Sequence, residues 1–155
     1  MERREYRTQD RCDWGEGPWE TESDKVQWTD EKTGLPCLIV RNRLGAFCGY
    51  VGVAEGHEYF GVYYMDGPDE AIDVHGGLTY SAFRQDFMRE EDGICHVPDP
   101  GEPERVWWLG FDCNHSCDKA PRELPYSRVM QSGEYRDIAY VESEVRKMAA
   151  QLARM

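Results

Sequence analysis

The sequence predicts an α+β domain: an antiparallel sheet with a C-terminal amphipathic helix packed on it. Three observations carry that expectation. Three short runs rich in β-branched and aromatic residues, separated by turns, lie between residues 25 and 53. A run that is apolar on both faces, Val-Trp-Trp-Leu-Gly-Phe-Asp-Cys, occupies 106–113. At the end of the chain Ile138, Val141, Val145, Met148 and Leu152 recur at steps of three and four.

Residues 1–24 read as an extended N-terminal arm, because Trp14-Gly15-Glu16-Gly17-Pro18-Trp19 breaks any period. Its two tryptophans are expected to anchor it to the body, a single domain over 25–155. The meander begins with Lys25–Thr29, turns at 30–34, returns along Pro36–Arg41, turns again at 42–45 and closes with 46–53. Residues 54–71 are Gly-rich and acidic and are expected to be mostly loop. A further strand is expected over 72–81, kinked at Gly76-Gly77. Residues 84–105 form a charged connection with Pro98, Pro100 and Pro103. The 106–113 run is expected to be a central strand covered on both sides. Irregular chain is expected over 114–134. The final helix has Asp137 as its N-cap, and its apolar stripe is a core-facing face.

At 155 residues the chain has the usual size of one domain. Such a domain buries about 70% of the surface that its unfolded chain exposes. No run approaches the roughly 18 apolar residues of a membrane span, and the polar start Met1–Glu5 carries no secretory signal pattern. A soluble, cytoplasmic protein is therefore expected, with its six cysteines reduced. The net charge is −12, from 30 acidic and 18 basic side chains. That field repels phosphate backbones, so direct nucleic-acid binding is not expected. No Walker loop, Gly-x-Ser-x-Gly or dinucleotide fingerprint occurs.

Two segments could carry chemistry. In Asp73-Val74-His75-Gly76-Gly77-Leu78-Thr79-Tyr80, a strand would place Asp73 and His75 on one face. Gly76 and Gly77 would let a ligand approach the backbone. The alternative is a bulge in which Asp73 merely bonds His75. At the exit of the 106–113 strand, Trp108, Gly110 and Asp112 alternate onto one face, with Gly110 leaving a gap, and Asn114 and His115 follow. The alternative there is an Asp that caps a turn. Asp73, His75, Asp112 and His115 together form a two-Asp, two-His set, the type that binds a divalent metal and activates water for hydrolysis. His57 is either a fifth member or merely exposed. A thiol set, Cys113-x-His115-x-Cys117 with Cys95-His96, has the wrong spacing for common structural zinc sites.

The segments Val74–Tyr80 (HGGLTY within it), Ile94–Pro98 and Trp107–His115 (WWLGFDCNH) resemble a widespread group of short phage and prophage proteins. So do Cys48–Val53 and Tyr135–Leu152, and the resemblance runs from about Trp28 onward. It implies a mobile-element origin and an accessory role in the host cytosol, counter-defence being a common one. It assigns no catalytic residue.

Three functions follow as expectations. The first is binding of a small polar, nucleotide-like ligand by His75, Gly76, Gly77, Thr79, Tyr80, Trp108, Gly110, Asp112 and Asn114. Trp108 and Tyr80 would stack, and Arg41 and Arg43 would supply positive charge. The second is a metal-dependent hydrolase using the Asp/His set, with the divalent metal as its one candidate cofactor. The third is an acidic inhibitor of a host protein, acting through its acidic face and the N-terminal arm. Self-association into a homo-oligomer is compatible with each.

Overall fold

The computed structural model describes residues 1–122 and 133–155. Its centre is one six-stranded antiparallel sheet in the order β1-β2-β3-β4-β6-β5. Strands β2 (Lys25–Thr29), β3 (Pro36–Arg41) and β4 (Phe47–Ala54) form the expected meander, with Trp28 opposite Cys37 and Ile39 opposite Gly49. β6 (Val106–Asp112) pairs with β4 along its whole length, from Ala54↔Val106 to Cys48↔Asp112. The edges are β1 (Arg4–Tyr6) on β2 and β5 (Tyr80–Phe83) on β6. A one-turn helix, α1 (Pro68–Ala71), interrupts the Gly-rich loop.

The C-terminal helix α2 (Ile138–Ala153) begins where Asp137 caps it, its carboxylate accepting from the Tyr140 amide at 2.8 Å. Val141, Val145, Met148 and Leu152 are fully buried against Val26, Ile39, Val51, Leu109 and Phe111. The stripe is therefore core, as its period required. Gly49 permits the close approach, since a Cβ there would lie 2.6 Å from both Phe111 and Val145.

The opposite face of the sheet buries Leu38, Val40, Tyr50, Val106 and Trp108. The connection ahead of β6 covers part of it. Lys25 Nζ, buried on that face, donates to the backbone carbonyls of Glu90 and Cys95. Thus β6 is apolar on both sides because both sides are covered.

The arm is more structured than an extended segment. Besides β1 it contains a short 3-10 turn, Pro18–Thr21, and it buries Trp14 and Trp19. A buried ionic cluster ties it down. Asp24 accepts from the amides of Thr8 and Gln9 and pairs with Arg11 and Arg41 at 2.6 and 3.0 Å. Arg41, expected to face a ligand, is instead enclosed by Asp24, Glu22 and the Tyr135 hydroxyl. Arg43 is exposed and lines a separate cleft of about 370 Å³ with Arg122, Asp10 and Glu91.

The strand expected over 72–81 is present only from Tyr80. Gly76 and Gly77 have φ of +68° and +79°, and two successive left-handed residues turn the chain rather than kink a strand. Part of the irregular stretch expected over 114–134, residues 123–132, lies outside the described residues. Within the remainder, β7 (Asp118–Lys119) and β8 (Glu134–Tyr135) form a short parallel pair. Among the described residues no helix is long and apolar enough to cross a membrane.

Candidate functional site

The two segments singled out in the sequence meet at the end of β6. The turn at Gly76 carries the chain past His115, and the His75 and His115 rings lie 6.1 Å apart. A Cβ on Gly76 would fall 2.3 Å from His115 Nε2, so this contact exists because residue 76 has no side chain. Thr79 Oγ1 donates to Asp112 at 3.0 Å, which closes the two segments on each other.

The acid paired with His75 is Asp118, not Asp73. His75 Nε2 lies 2.9 and 3.0 Å from the two Asp118 oxygens, and Nδ1 lies 2.8 Å from the Tyr140 hydroxyl. An ionised carboxylate only accepts, so Nε2 carries the proton and Nδ1 accepts from Tyr140. The Asp118 side chain is fully buried and also accepts from Arg136 Nε at 2.9 Å and the His115 amide at 3.1 Å. Burial alone would raise this carboxyl. The hydrogen bonds from His75, Arg136 and His115 outweigh it and hold Asp118 below its ordinary value. The His75 amide donates to Glu144 at 2.8 Å, so α2 fixes both backbone and ring of this residue.

Asp73 does not pair with His75. With the strand replaced by a turn, alternation no longer places it beside His75. Its side chain is exposed, its nearest ionic partner is Lys147 at 3.9 Å, and its amide donates to Gln151. Asp112 and His115 stay together at the strand exit, His115 Nε2 lying 3.4 Å from Asp112 Oδ1. The pair is misaligned for a hydrogen bond, and among the described residues the buried His115 Nε2 has no hydrogen-bond partner.

Trp108, Tyr80 and Gly110 do not form a stacking platform. Trp108 is fully buried among Leu38, Val106 and Tyr50, leaving no indole face for a planar ligand. The gap at Gly110 is filled, since a Cβ there would meet the Tyr50 ring at 2.3 Å. Tyr80 packs edge-on to Tyr50. Gly77 and Thr79 border the site, and Asn114 is exposed in the turn after Asp112.

The remaining candidates separate. His57 Nδ1 accepts a hydrogen bond from the Tyr59 amide at 3.0 Å, so its Nε2–H donates to the Leu152 carbonyl at 2.8 Å, and it caps the end of α2. Cys95 and His96 lie on the covered opposite face, where His96 packs on Trp108. All six cysteines are free thiols. Cys113 is buried, and that burial pushes its thiol up. Cys117 is exposed and adjoins the His75–Asp118 pair, its Sγ 3.9 Å from Asp118 Oδ1.

Three residues essential to the arrangement escaped the sequence: Asp118, Arg136 and Tyr140. One signal was present, since Asp112, His115 and Asp118 recur at intervals of three. No family model, curated protein or solved structure matches the chain.

Proposed function

We propose that the protein is a metal-dependent hydrolytic enzyme with its centre at His75, Cys117 and Asp118. One observation carries the reading: an imidazole nitrogen, a thiol sulfur and a carboxylate oxygen of these residues lie within 4.8 Å of one another. The mixed nitrogen, sulfur and oxygen set suits a zinc-class ion, and three protein ligands leave a fourth position for water or a substrate oxygen. Such an ion lowers the pKa of water in that position toward about 7.

The neighbours fit supporting roles. Tyr140 orients the His75 ring through the nitrogen that would not bind metal. Arg136 and the His115 amide hold the Asp118 carboxylate. The Asp112–His115 pair stands beside the centre and is suited to take a proton from the attacking water. The resemblance to phage proteins supports an accessory role in an infected cell.

A second reading has its own observation. The Asp118 oxygens already accept from His75, Arg136 and the His115 amide, so Asp118–His75–Tyr140 also forms a complete metal-free proton relay ending on a phenol. Elemental analysis of protein purified without chelator separates the two. About one zinc-class ion per chain, lost in His75→Ala and Asp118→Asn, is the expected result. Protein without metal, whose melting temperature ignores added Zn²⁺, Mn²⁺ and Co²⁺, overturns the metal reading and leaves the relay.

A further inference from the structure

The two edges of the sheet are finished differently. β1 is three residues long and carries Arg4 and Glu5, and short charged edges keep other strands away. β5 carries no charge along Tyr80–Phe83. Gly110 turns its carbonyl toward β5, where it accepts from the Thr79 amide. By alternation Tyr80 and Ala82 bond to β6, while Ser81 and Phe83 turn their backbone groups outward.

Apolar side chains are exposed around this edge. Tyr63 and Met65 flank Tyr64, whose amide donates to Ser81 Oγ at 2.9 Å. Phe83 lies on the strand itself, and Phe87, 79% exposed, and Met88 follow it in the chain. Among the described residues, the other exposed large apolar side chains are only Val97 and Met155. Exposed apolar surface concentrated in one place marks a contact with another protein.

Charge selects the occupant. Arg84 leaves the C-terminal end of β5, exposed and in no ion pair among the described residues. Alternation puts it on the same side of the sheet as Tyr80, and it borders Trp108 there. At the other end of β5, on that same side, Tyr80 lies opposite Gly110 and Thr79 holds Asp112. One end of the edge is therefore cationic, and the other is aromatic and acidic. A two-fold axis normal to the sheet lays each end on its opposite, so the edge is complementary to itself.

We propose that this edge is a dimer interface, in which β5 pairs antiparallel with β5 of a second copy. Each Arg84 then lies over Tyr80 of the partner subunit and beside Asp112 of the partner subunit. The ladder is short, so Phe83, Tyr63 and Met65 carry much of the contact. The pairing does not depend on a metal at His75.

Sedimentation equilibrium of the full chain, from about 1 μM to 1 mM, tests this. A reversible dimer is expected in that range. Ser81→Pro removes an outward amide, a change that edge strands tolerate. Arg84→Glu reverses an exposed charge and leaves the core untouched. Each variant, shown to be folded by its melting curve, is expected to dimerise at least about tenfold more weakly. A parent chain that stays monomeric at about 1 mM leaves the edge to a different protein and overturns the proposal. A dimer of parental strength in folded Ser81→Pro or in Arg84→Glu overturns it as well, because association then uses another face.

Discussion

Asp118 and His75 stand 43 residues apart in the chain and 2.9 Å apart in space. The contact joins the turn after β6 to the Gly76-Gly77 turn, and Tyr140 brings α2 to the other side of the same ring. Three segments with no local reason to meet therefore share one imidazole.

Removing the Tyr140 hydroxyl tests that arrangement. Tyr140→Phe keeps the ring on α2 and deletes only the contact to His75 Nδ1. Outer-sphere partners of this type contribute about 10–100-fold in metal affinity. Competitive titration with a zinc chelator is expected to show a loss in that range with the melting temperature nearly unchanged. Affinity equal to that of the parent would mean that Tyr140 does not orient the ligand.

Gly76→Ala and Gly77→Ala separate backbone strain from the site contact. Both positions have positive φ, which disfavours alanine by roughly 1–2 kcal/mol. A Cβ at Gly77 meets nothing within 4 Å, whereas one at Gly76 strikes the His115 ring. Denaturant unfolding is expected to show a larger loss for Gly76→Ala, and only that variant is expected to move the His115 ring resonances.

Trp108 belongs to the core. Trp108→Ala removes a fully buried indole and is expected to cost about 3–5 kcal/mol in denaturant unfolding. Metal content of the folded fraction should not change. Loss of metal without loss of stability would return Trp108 to the site.

Asp24 holds the N-terminal arm. Asp24→Ala leaves the buried Arg41 guanidinium without one of its carboxylates and is expected to cost about 3–5 kcal/mol. Because the Thr8 and Gln9 amides lose their acceptor as well, limited proteolysis is expected to cut near them first. An unchanged cleavage pattern would show that Trp14 and Trp19 suffice to hold the arm.

His96 sets a pH dependence of known sign. Burial depresses it below its ordinary 6.5; Glu102 and Glu90 act upward, and Lys25 and the Met1 amino group act downward. The unfolded chain therefore binds the proton more readily than the folded one. The His96 contribution to stability is present above pH 6.5 and is lost as pH falls from there through the folded value. His96→Gln is expected to flatten the stability profile below pH 6.5 relative to the parent. A parallel profile would show that His96 is not held neutral.

The meander, the doubly covered β6 and the capped helix α2 were legible because each rests on a local period: two for strands, 3.6 for helices, with turn residues between them. The same alternation rule misplaced Asp73, because Gly76-Gly77 turned an expected strand into a turn. It also placed Trp108, Gly110 and Asp112 on one face without revealing that Tyr50, from the neighbouring strand, fills the gap at Gly110.

Local patterning was enough for the α+β class, the meander of β2, β3 and β4, and the core stripe of α2. The tertiary structure alone decided that Asp118 and Tyr140 are the partners of His75, that His57 caps α2, and that Arg41 is enclosed in an ion cluster. Hydrogen-bond partners 17 or more residues apart depend on how strands pair and where a helix docks, and no local period encodes that.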